Sequence, residues 1–349
     1  MGKNFLERQP KNTPKFSSDS ADPRRLPEGK TERKRQWDSL REFCEARGFR
    51  QEPEEWIPPQ VGDEGKIYNY HETEGRLLPE AIGKDWIGVE LEVVPLAGRY
   101  DLAEQICTVG NGKLFLSEDG SLSSPRDRNF QPILRSDEPY YKGNDGNWHP
   151  KFADKGFEIV TDYGDLNQVI HICGTVAEAI EGKAVSQDTD CCGLHVHLSR
   201  NEAAPLALGR LVIFWNSKKN EAFIKLFTRR DFNNYSSNKD VEGKNPSDLD
   251  MSWSDTRYEL VNLTNTHTVE LRGFRGTTDK DVLLACIEFA SATWSFARDK
   301  DIDDTEMTWQ RFIRWLAEQP ASKTHYIWQY LMKKKPGIVP ESIRLAVLE

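Results

Sequence analysis

The chain lacks any run of about 18 apolar residues, so no segment of it reads as a membrane-spanning helix. Its opening, Met1-Gly2-Lys3-Asn4-Phe5-Leu6-Glu7, lacks the apolar stretch of a secretory signal. Leu6 also stands where a myristoylation motif starting at Gly2 requires Ser or Thr. Cysteine is sparse, with six in 349 residues (Cys44, Cys107, Cys173, Cys191, Cys192 and Cys286). None forms a Cys-x-x-Cys, and their spacing is not that of a small disulfide scaffold, so they read as reduced thiols in a cytoplasmic protein. An excess of basic charge is missing too: 56 Asp+Glu stand against 47 Lys+Arg, a formal net charge of -9. That balance argues against general nucleic-acid binding and leaves room only for a local basic patch. No internal repeat is visible.

What is present is enough chain to bury a large core. Residues 1–36 carry ten Lys/Arg against five Asp/Glu and almost no large aliphatics. Such a segment cannot bury enough apolar surface to fold alone, and it reads as a disordered basic tail or one that orders on a partner. Trp37, Leu40, Phe43 and Cys44 recur at helical spacing before Gly48, and an irregular, Pro58-Pro59-containing stretch completes an extension over 37–84. The folded core is expected over 85–300 and a helical extension packed on it over 301–349. Within the core, strands are expected at Trp86–Val94, Lys113–Leu116, Gly156–Val160, Gly193–Ser199, Tyr258–Leu263 and around Glu270. Helices are expected over Leu166–Ile180, as one helix or a pair over Leu208–Phe227, and over Asp281–Phe296, Trp309–Leu316 and Tyr326–Met332. Residues 122–154, dense in Pro, Asp, Asn and Tyr, read as a long insertion loop. Antiparallel strands interleaved with helices indicate an α+β fold.

Three strands stand out. Glu90 and Glu92, His195 and His197, and Glu270 and Arg272 are pairs at i and i+2, which share one face of a strand. Val89, Leu91, Val196, Leu198, Val269 and Leu271 fill the alternate positions. Three such strands in one sheet would make a floor of carboxylates, imidazoles and guanidinium, a surface suited to metal ions and phosphate.

The order of motifs is specific where each alone is weak: Glu90-x-Glu92, then Asp119-Gly120-Ser121, Gly156-Phe157-Glu158-Ile159-Val160, Gly193-Leu194-His195-Val196-His197, and Arg257-Tyr258 with Glu270-Leu271-Arg272 and Arg275-Gly276-Thr277. Over Trp86–Phe296 this resembles the amidoligase family, carboxylate–amine ligases that share the catalytic fold of glutamine synthetase. Gly193–Ser199 and Glu270–Arg272 look like the His-x-His and Glu-x-Arg strands of glutamine synthetases themselves. The resemblance implies a curved, mainly antiparallel sheet with a polar concave face and helices packed on the other.

It also implies ATP-dependent amide formation through an acyl phosphate, with Mg²⁺, or Mn²⁺ in its place. By resemblance, Glu90, Glu92, Glu158, His195 and Glu270 are metal ligands, with Glu270, His195 and Arg272 catalytic. His197, Ser199, Arg272, Arg275 and Arg257 are expected at ATP phosphate or a substrate carboxylate, and Asn262 can add a neutral hydrogen bond. Asp119 either touches ligand or only shapes its turn. Expected partners are a small-molecule or peptide carboxylate and an amine, with no membrane and no nucleic acid except through the basic tail; oligomerisation is left open. Nothing before Trp86 matches the small N-terminal domain of glutamine synthetase, so its ring assembly is not carried over.

Other readings compete. A binding or assembly protein could retain the scaffold without turnover, and a guanido kinase-like phosphotransferase belongs to the same fold class. Cys191-Cys192 beside His195-x-His197 suggests zinc, although tetrahedral zinc sites rarely use adjacent cysteines. Glu270-x-Arg272 could be a structural ion pair, although i,i+2 neighbours face the same side without the geometry for a strong bridge.

Overall fold

The computed structural model describes residues 66–68, 85–136, 140–143, 147–187, 189, 191–200, 205–232, 236–249, 256–265 and 267–348. All of them lie in the larger of two compact units, Cys44–Glu349. The basic tail over 1–36 and the helix expected at Trp37–Cys44 lie outside the described residues, as does the 49–82 extension except 66–68.

The described residues form ten strands: β1 (Ile67–Tyr68), β2 (Ile87–Pro95), β3 (Leu114–Ser117), β4 (Tyr140–Lys142), β5 (Trp148–Pro150), β6 (Phe157–Thr161), β7 (Ala184–Val185), β8 (Gly193–Ser199), β9 (Val261–Asn262) and β10 (Thr268–Arg275). Eight make one sheet in the order β1-β3-β6-β2-β8-β10-β9, with β7 on the end of β2. Only the β1–β3 pair is parallel. Strands β4 and β5 form a separate hairpin.

The described helices are α1 (Arg99–Gly110), α2 (Leu166–Ile180), α3 (Pro205–Asn216), α4 (Lys218–Thr228), α5 (Lys280–Arg298), α6 (Trp309–Leu316), α7 (His325–Lys334) and α8 (Glu341–Leu348). The fold is α+β with a mainly antiparallel open sheet. No described helix is long and apolar enough to cross a membrane, and Cys173, Cys191, Cys192 and Cys286 are free thiols.

The two-residue period of the strands sorts their side chains into two layers. Val89, Leu91 and Val93 of β2, Leu194, Val196 and Leu198 of β8, and Val269, Leu271 and Phe274 of β10 are buried in one core with α2, α3 and α5. Phe227 of α4 and Phe289 of α5 stack at 3.8 Å between centroids. The same aromatic layer holds Phe312 of α6, 5.7 Å from Phe289, and Tyr330 of α7, 5.3 Å from Phe227. Local signals fix the helix starts. Asp165 accepts the Gln168 N–H at 2.9 Å while Gln168 returns the bond to the Asp165 N–H, a capping box opening α2. Asp279 caps α5 through the Val282 N–H at 3.1 Å.

Several expectations need correction. The 122–154 insertion is not all loop, because it contains the β4–β5 hairpin. The strand expected over Tyr258–Leu263 shrinks to Val261–Asn262, paired with Glu270 and Leu271. The region expected as one helix or a pair is two helices, broken at Ser217, whose hydroxyl accepts the Lys219 N–H at 3.3 Å and restarts the chain as α4. Helices α1 and α8 were not anticipated. The buried stripe of α1 is mostly small or polar (Arg99, Leu102, Ala103, Ile106, Gly110), and Leu345 of α8 is exposed, so neither carries a strong apolar period.

Candidate active site

Antiparallel register puts directly opposed residues on the same face, and three cross-strand rows follow. Ser117, Glu158 and Glu92 oppose one another across β3, β6 and β2, and the row ends at Gly193, whose N–H donates to Glu92 Oε2. In the next row Glu90 of β2 opposes His195 of β8. The third runs Gly88, His197, Glu270 and Asn262 across β2, β8, β10 and β9. Sequence positions nearly 200 apart therefore become neighbours, and the i,i+2 pairs of three strands form one polar floor.

The side chains contact one another closely. His195 Nδ1 is 3.1 Å from Glu90 Oε2 and 3.5 Å from Glu270 Oε1. His197 Nε2 is 3.1 Å from Glu90 Oε1, and its Nδ1 is 3.3 Å from Thr268 Oγ1. Glu270 accepts from Asn262 Nδ2 at 2.7 Å and from Asn265 Nδ2 at 3.3 Å, and it is paired with Arg272 Nη1. Burial opposes ionisation of Glu90, yet the two imidazoles outweigh it and hold this carboxyl well below its usual range. Burial likewise opposes ionisation of Glu270, but His197, Arg272 and His195 bring it below the ordinary value. Burial pulls the His197 imidazolium down, and the Glu90 and Glu270 charges more than compensate, leaving it raised.

The other end of the floor behaves oppositely. Glu92, Asp119 and Glu158 bring one carboxylate oxygen each within 4.8 Å of one another. Burial pushes Glu158 well above the usual carboxylate range, and the Glu90, Glu92 and Asp119 charges push the same way. Glu92 is raised by burial, against the pull of His195 and the Gly193 N–H.

A bulge shapes the third strand. Leu271 pairs with Val196 but Phe274 pairs with Leu194, so Arg272 and Gly273 together oppose His195. The extra residue sends Phe274 into the core, fully buried, and places Arg275 opposite Gly193, on the face that alternation already gives Arg272. It also explains why Glu270 and Arg272 make the bridge that a regular strand would deny them. A Cβ on Gly273 would sit 3.0 Å from Leu260 and 3.1 Å from Thr228, which suits glycine to the bulge.

The expected site residues are not equally close to this centre. Glu90, His195, His197, Glu270 and Arg272 form one contact network, with Glu92 and Glu158 in the neighbouring row. Ser199 lies at the end of β8, where its hydroxyl accepts the Trp86 N–H at 3.1 Å. Arg275 donates to the Gln187 carbonyl at 3.2 Å. Arg257 is exposed, its guanidinium 5.2 Å from the Tyr258 ring, and Arg272 lies 6.0 Å from that same ring. Asp119 shapes its turn by accepting the Ser121 N–H at 2.5 Å, and its carboxylate stands in the second carboxylate group.

Sequence reasoning passed over Thr268, Asn265 and Tyr163. Thr268 sits two residues before Glu270, so the alternation rule alone could have found it. Tyr163 carried no such signal. Its ring occupies the space above Gly88, where a Cβ would lie 2.7 Å from Cε1, and burial together with Glu90 and Glu270 raises its phenol.

Two groups of side chains could hold a cation: Glu90, His197 and Glu270, and Glu92, Asp119 and Glu158. The donors are mostly carboxylate oxygens, the ligand type that Mg²⁺ and Mn²⁺ take. His197 Nε2 is buried near Glu90 without a hydrogen-bonding geometry to any partner, as a nitrogen directed at a cation would be. Like-charged carboxylates with raised protonation in the second group also fit a missing positive charge. Cys192 is buried and its thiol is pushed up by burial and by Cys191, the reverse of the thiolate that zinc requires.

No family model matches the chain, and no curated protein matches it. Solved structures similar to it include one described as a novel glutamine synthase homolog, at 9% identity over 75% of this chain and 67% of that one, with a TM-score of 0.30. Another is a GmaS/ADP complex, at 15% identity over 76% of this chain and 73% of that one, with a TM-score of 0.32. Identities this low carry no activity from one protein to another.

Proposed function

We propose that the protein is an ATP- and Mg²⁺-dependent carboxylate–amine ligase of the amidoligase type, built on a glutamine synthetase-like sheet. The observation that carries this reading is the convergence of Glu90, His195, His197, Glu270 and Arg272 on one face of three adjacent antiparallel strands. A second carboxylate group lies in the next row of the same floor. The motif order read from the sequence supports it independently.

In the proposed reaction, a substrate carboxylate oxygen attacks the γ-phosphorus of ATP. The bond to the β,γ-bridging oxygen breaks and ADP leaves with that electron pair. An amine then attacks the acyl carbon, the C–O bond to phosphate breaks, and the nitrogen loses a proton. Bound Mg²⁺ would screen the triphosphate charge and orient it for in-line attack. Glu90, His197 and Glu270 of the first group and Glu92, Asp119 and Glu158 of the second are the residues that would hold it, with His195 against Glu90. Arg272, fixed by Glu270, offers its planar donors to the transferring phosphoryl group, with Arg275 flanking it. Substrates of the class are a small-molecule or peptide carboxylate and an amine.

The test is Mg²⁺-dependent ADP release with a panel of carboxylates and amines, wild type beside Glu90→Gln. Release that needs both co-substrates and vanishes in the variant is the expected result. The absence of both turnover and magnesium-dependent nucleotide binding by calorimetry would sink the reading. A phosphorylated guanidine formed without amide would replace it with a kinase.

A further inference from the structure

Two arginines outside every motif, Arg229 and Arg230, lie against the bulge of β10. A bulge takes main-chain groups out of the regular ladder, and buried carbonyls need donors. Arg230 donates Nε to the Gly273 carbonyl at 3.2 Å and Nη2 to the Arg272 carbonyl at 2.8 Å. Arg229 donates Nη2 to the Arg275 carbonyl and, at 3.3 Å, to the Gly276 carbonyl. Two successive side chains thus grip the main chain from Arg272 to Gly276.

The backbone that permits this is unusual. Arg229 ends α4 in the left-handed region, φ 58° and ψ 19°, one of three non-glycine residues with positive φ among the described residues. Side chains with a Cβ adopt that region at a cost, and surrounding interactions must hold them there. The electrostatics point the same way. Neither Arg229 nor Arg230 forms an ion pair with a carboxylate among the described residues. Burial, with the like charges of Arg275, Arg272 and Arg229 adding to it against the pull of Glu92, lowers Arg230 to about 10.

We propose that Arg229 and Arg230 are positioning residues, a two-guanidinium clamp on the bulged main chain of β10 that keeps Arg272 and Arg275 directed at the polar floor. The clamp stands on hydrogen bonds and register, while its value for phosphoryl transfer rests on the ligase reading above. Guanidinium is suited to the task because its fork reaches two carbonyls at once, which a lysine ammonium on a flexible stem does not reproduce.

The test uses the full-length protein with Arg230→Lys, which keeps the charge, and Arg230→Met, which removes both charge and donors. Hydrogen exchange is followed at the Arg272 N–H, bonded to the Leu260 carbonyl at 3.1 Å, and at the Gly276 N–H, bonded to the Cys192 carbonyl at 3.4 Å. Both variants should exchange at least about tenfold faster over 271–276, with α5 unchanged. Unchanged exchange in both overturns the clamp. ADP release provides the second readout: kcat should fall at least about tenfold in Arg230→Lys, with KM for ATP within about threefold of wild type. A lysine variant with wild-type kcat overturns the positioning role and leaves the ligase intact. If the wild type neither releases ADP nor binds nucleotide with Mg²⁺, the ligase reading fails, and the exchange rates still decide the clamp.

Discussion

The two carboxylate groups on the polar floor have similar composition and opposite electrostatic character. Glu90, half-buried, and Glu270, buried, lie among two imidazoles and a guanidinium, and both are held below the usual carboxylate range. Glu92 and Glu158 are buried like Glu270, in a group completed by Asp119, and both are raised. Burial acts alike on all four, so the neighbours decide the sign. The first group is charged and internally neutralised, and the second lacks a cation. Glu288 in α5 isolates the common term: 2% exposed and with no ionisable partner shaping it, it is pushed up to about 7 by burial, against the Ile327 and Tyr326 N–H groups.

Removing the cation from the first group should have the largest effect. Arg272→Ala leaves Glu270 buried beside an empty place, and losing one partner of a buried pair costs about 3–5 kcal/mol. ADP release should also drop by roughly 10²–10³-fold, the scale of one lost donor to a developing charge. Thermal unfolding beside the activity assay checks both, and an unaltered melting temperature would break the comparison.

Glu158→Gln attacks the second group. It should raise the melting temperature of the metal-free protein at pH 8 by about 2–4 °C, the scale of 1 kcal/mol in a domain this large. At the same time it should weaken Mg²⁺ binding by at least about tenfold, measured by calorimetry. A stabilised variant with undiminished Mg²⁺ affinity would mean that the group is not a cation site.

A third variant sharpens the burial term alone. A carboxyl raised by folding contributes stability below its unfolded pKa and loses it as pH rises through the folded value. For Glu288, moved from 4.5 to about 7, the loss falls between about pH 5 and 8 and is on the order of 3 kcal/mol at most. Because Glu288 Oε2 accepts the Ile327 N–H at 2.9 Å at the start of α7, loosening should begin at the C-terminal helices. Glu288→Gln keeps the acceptor and should flatten the dependence of melting temperature on pH across that window. A slope unchanged in the variant would assign the titration to another group.

Much of this centre was legible in the chain because strand alternation is a local rule. Val89, Leu91, Val196, Leu198, Val269 and Leu271 identify the buried face, so the polar residues between them had to share the other. Helix α2 was readable to its ends, since an apolar period and a capping box are both local. The Glu270–Arg272 bridge was underestimated because the bulge at Arg272-Gly273 breaks alternation, and nothing in the strand itself announces an extra residue. Helix α1 escaped notice because small and polar residues make its inner face. Tyr163 escaped because the vacancy that admits its ring belongs to Gly88, more than 70 residues away.

By itself, then, the sequence determined which residues are paired on each strand, which face each strand buries, and that three polar strands occur in one α+β chain. These follow from two- and 3.6-residue periods, which depend only on neighbours along the chain. The tertiary structure alone decided which carboxylates meet imidazoles and which meet one another, because cross-strand register sets those distances. It also decided that Arg272 and Arg275 both face the floor and that Arg229 and Arg230 grip the strand carrying them. Charge acts through space, so the ionisation of a buried group is settled only when the sheet has closed around it.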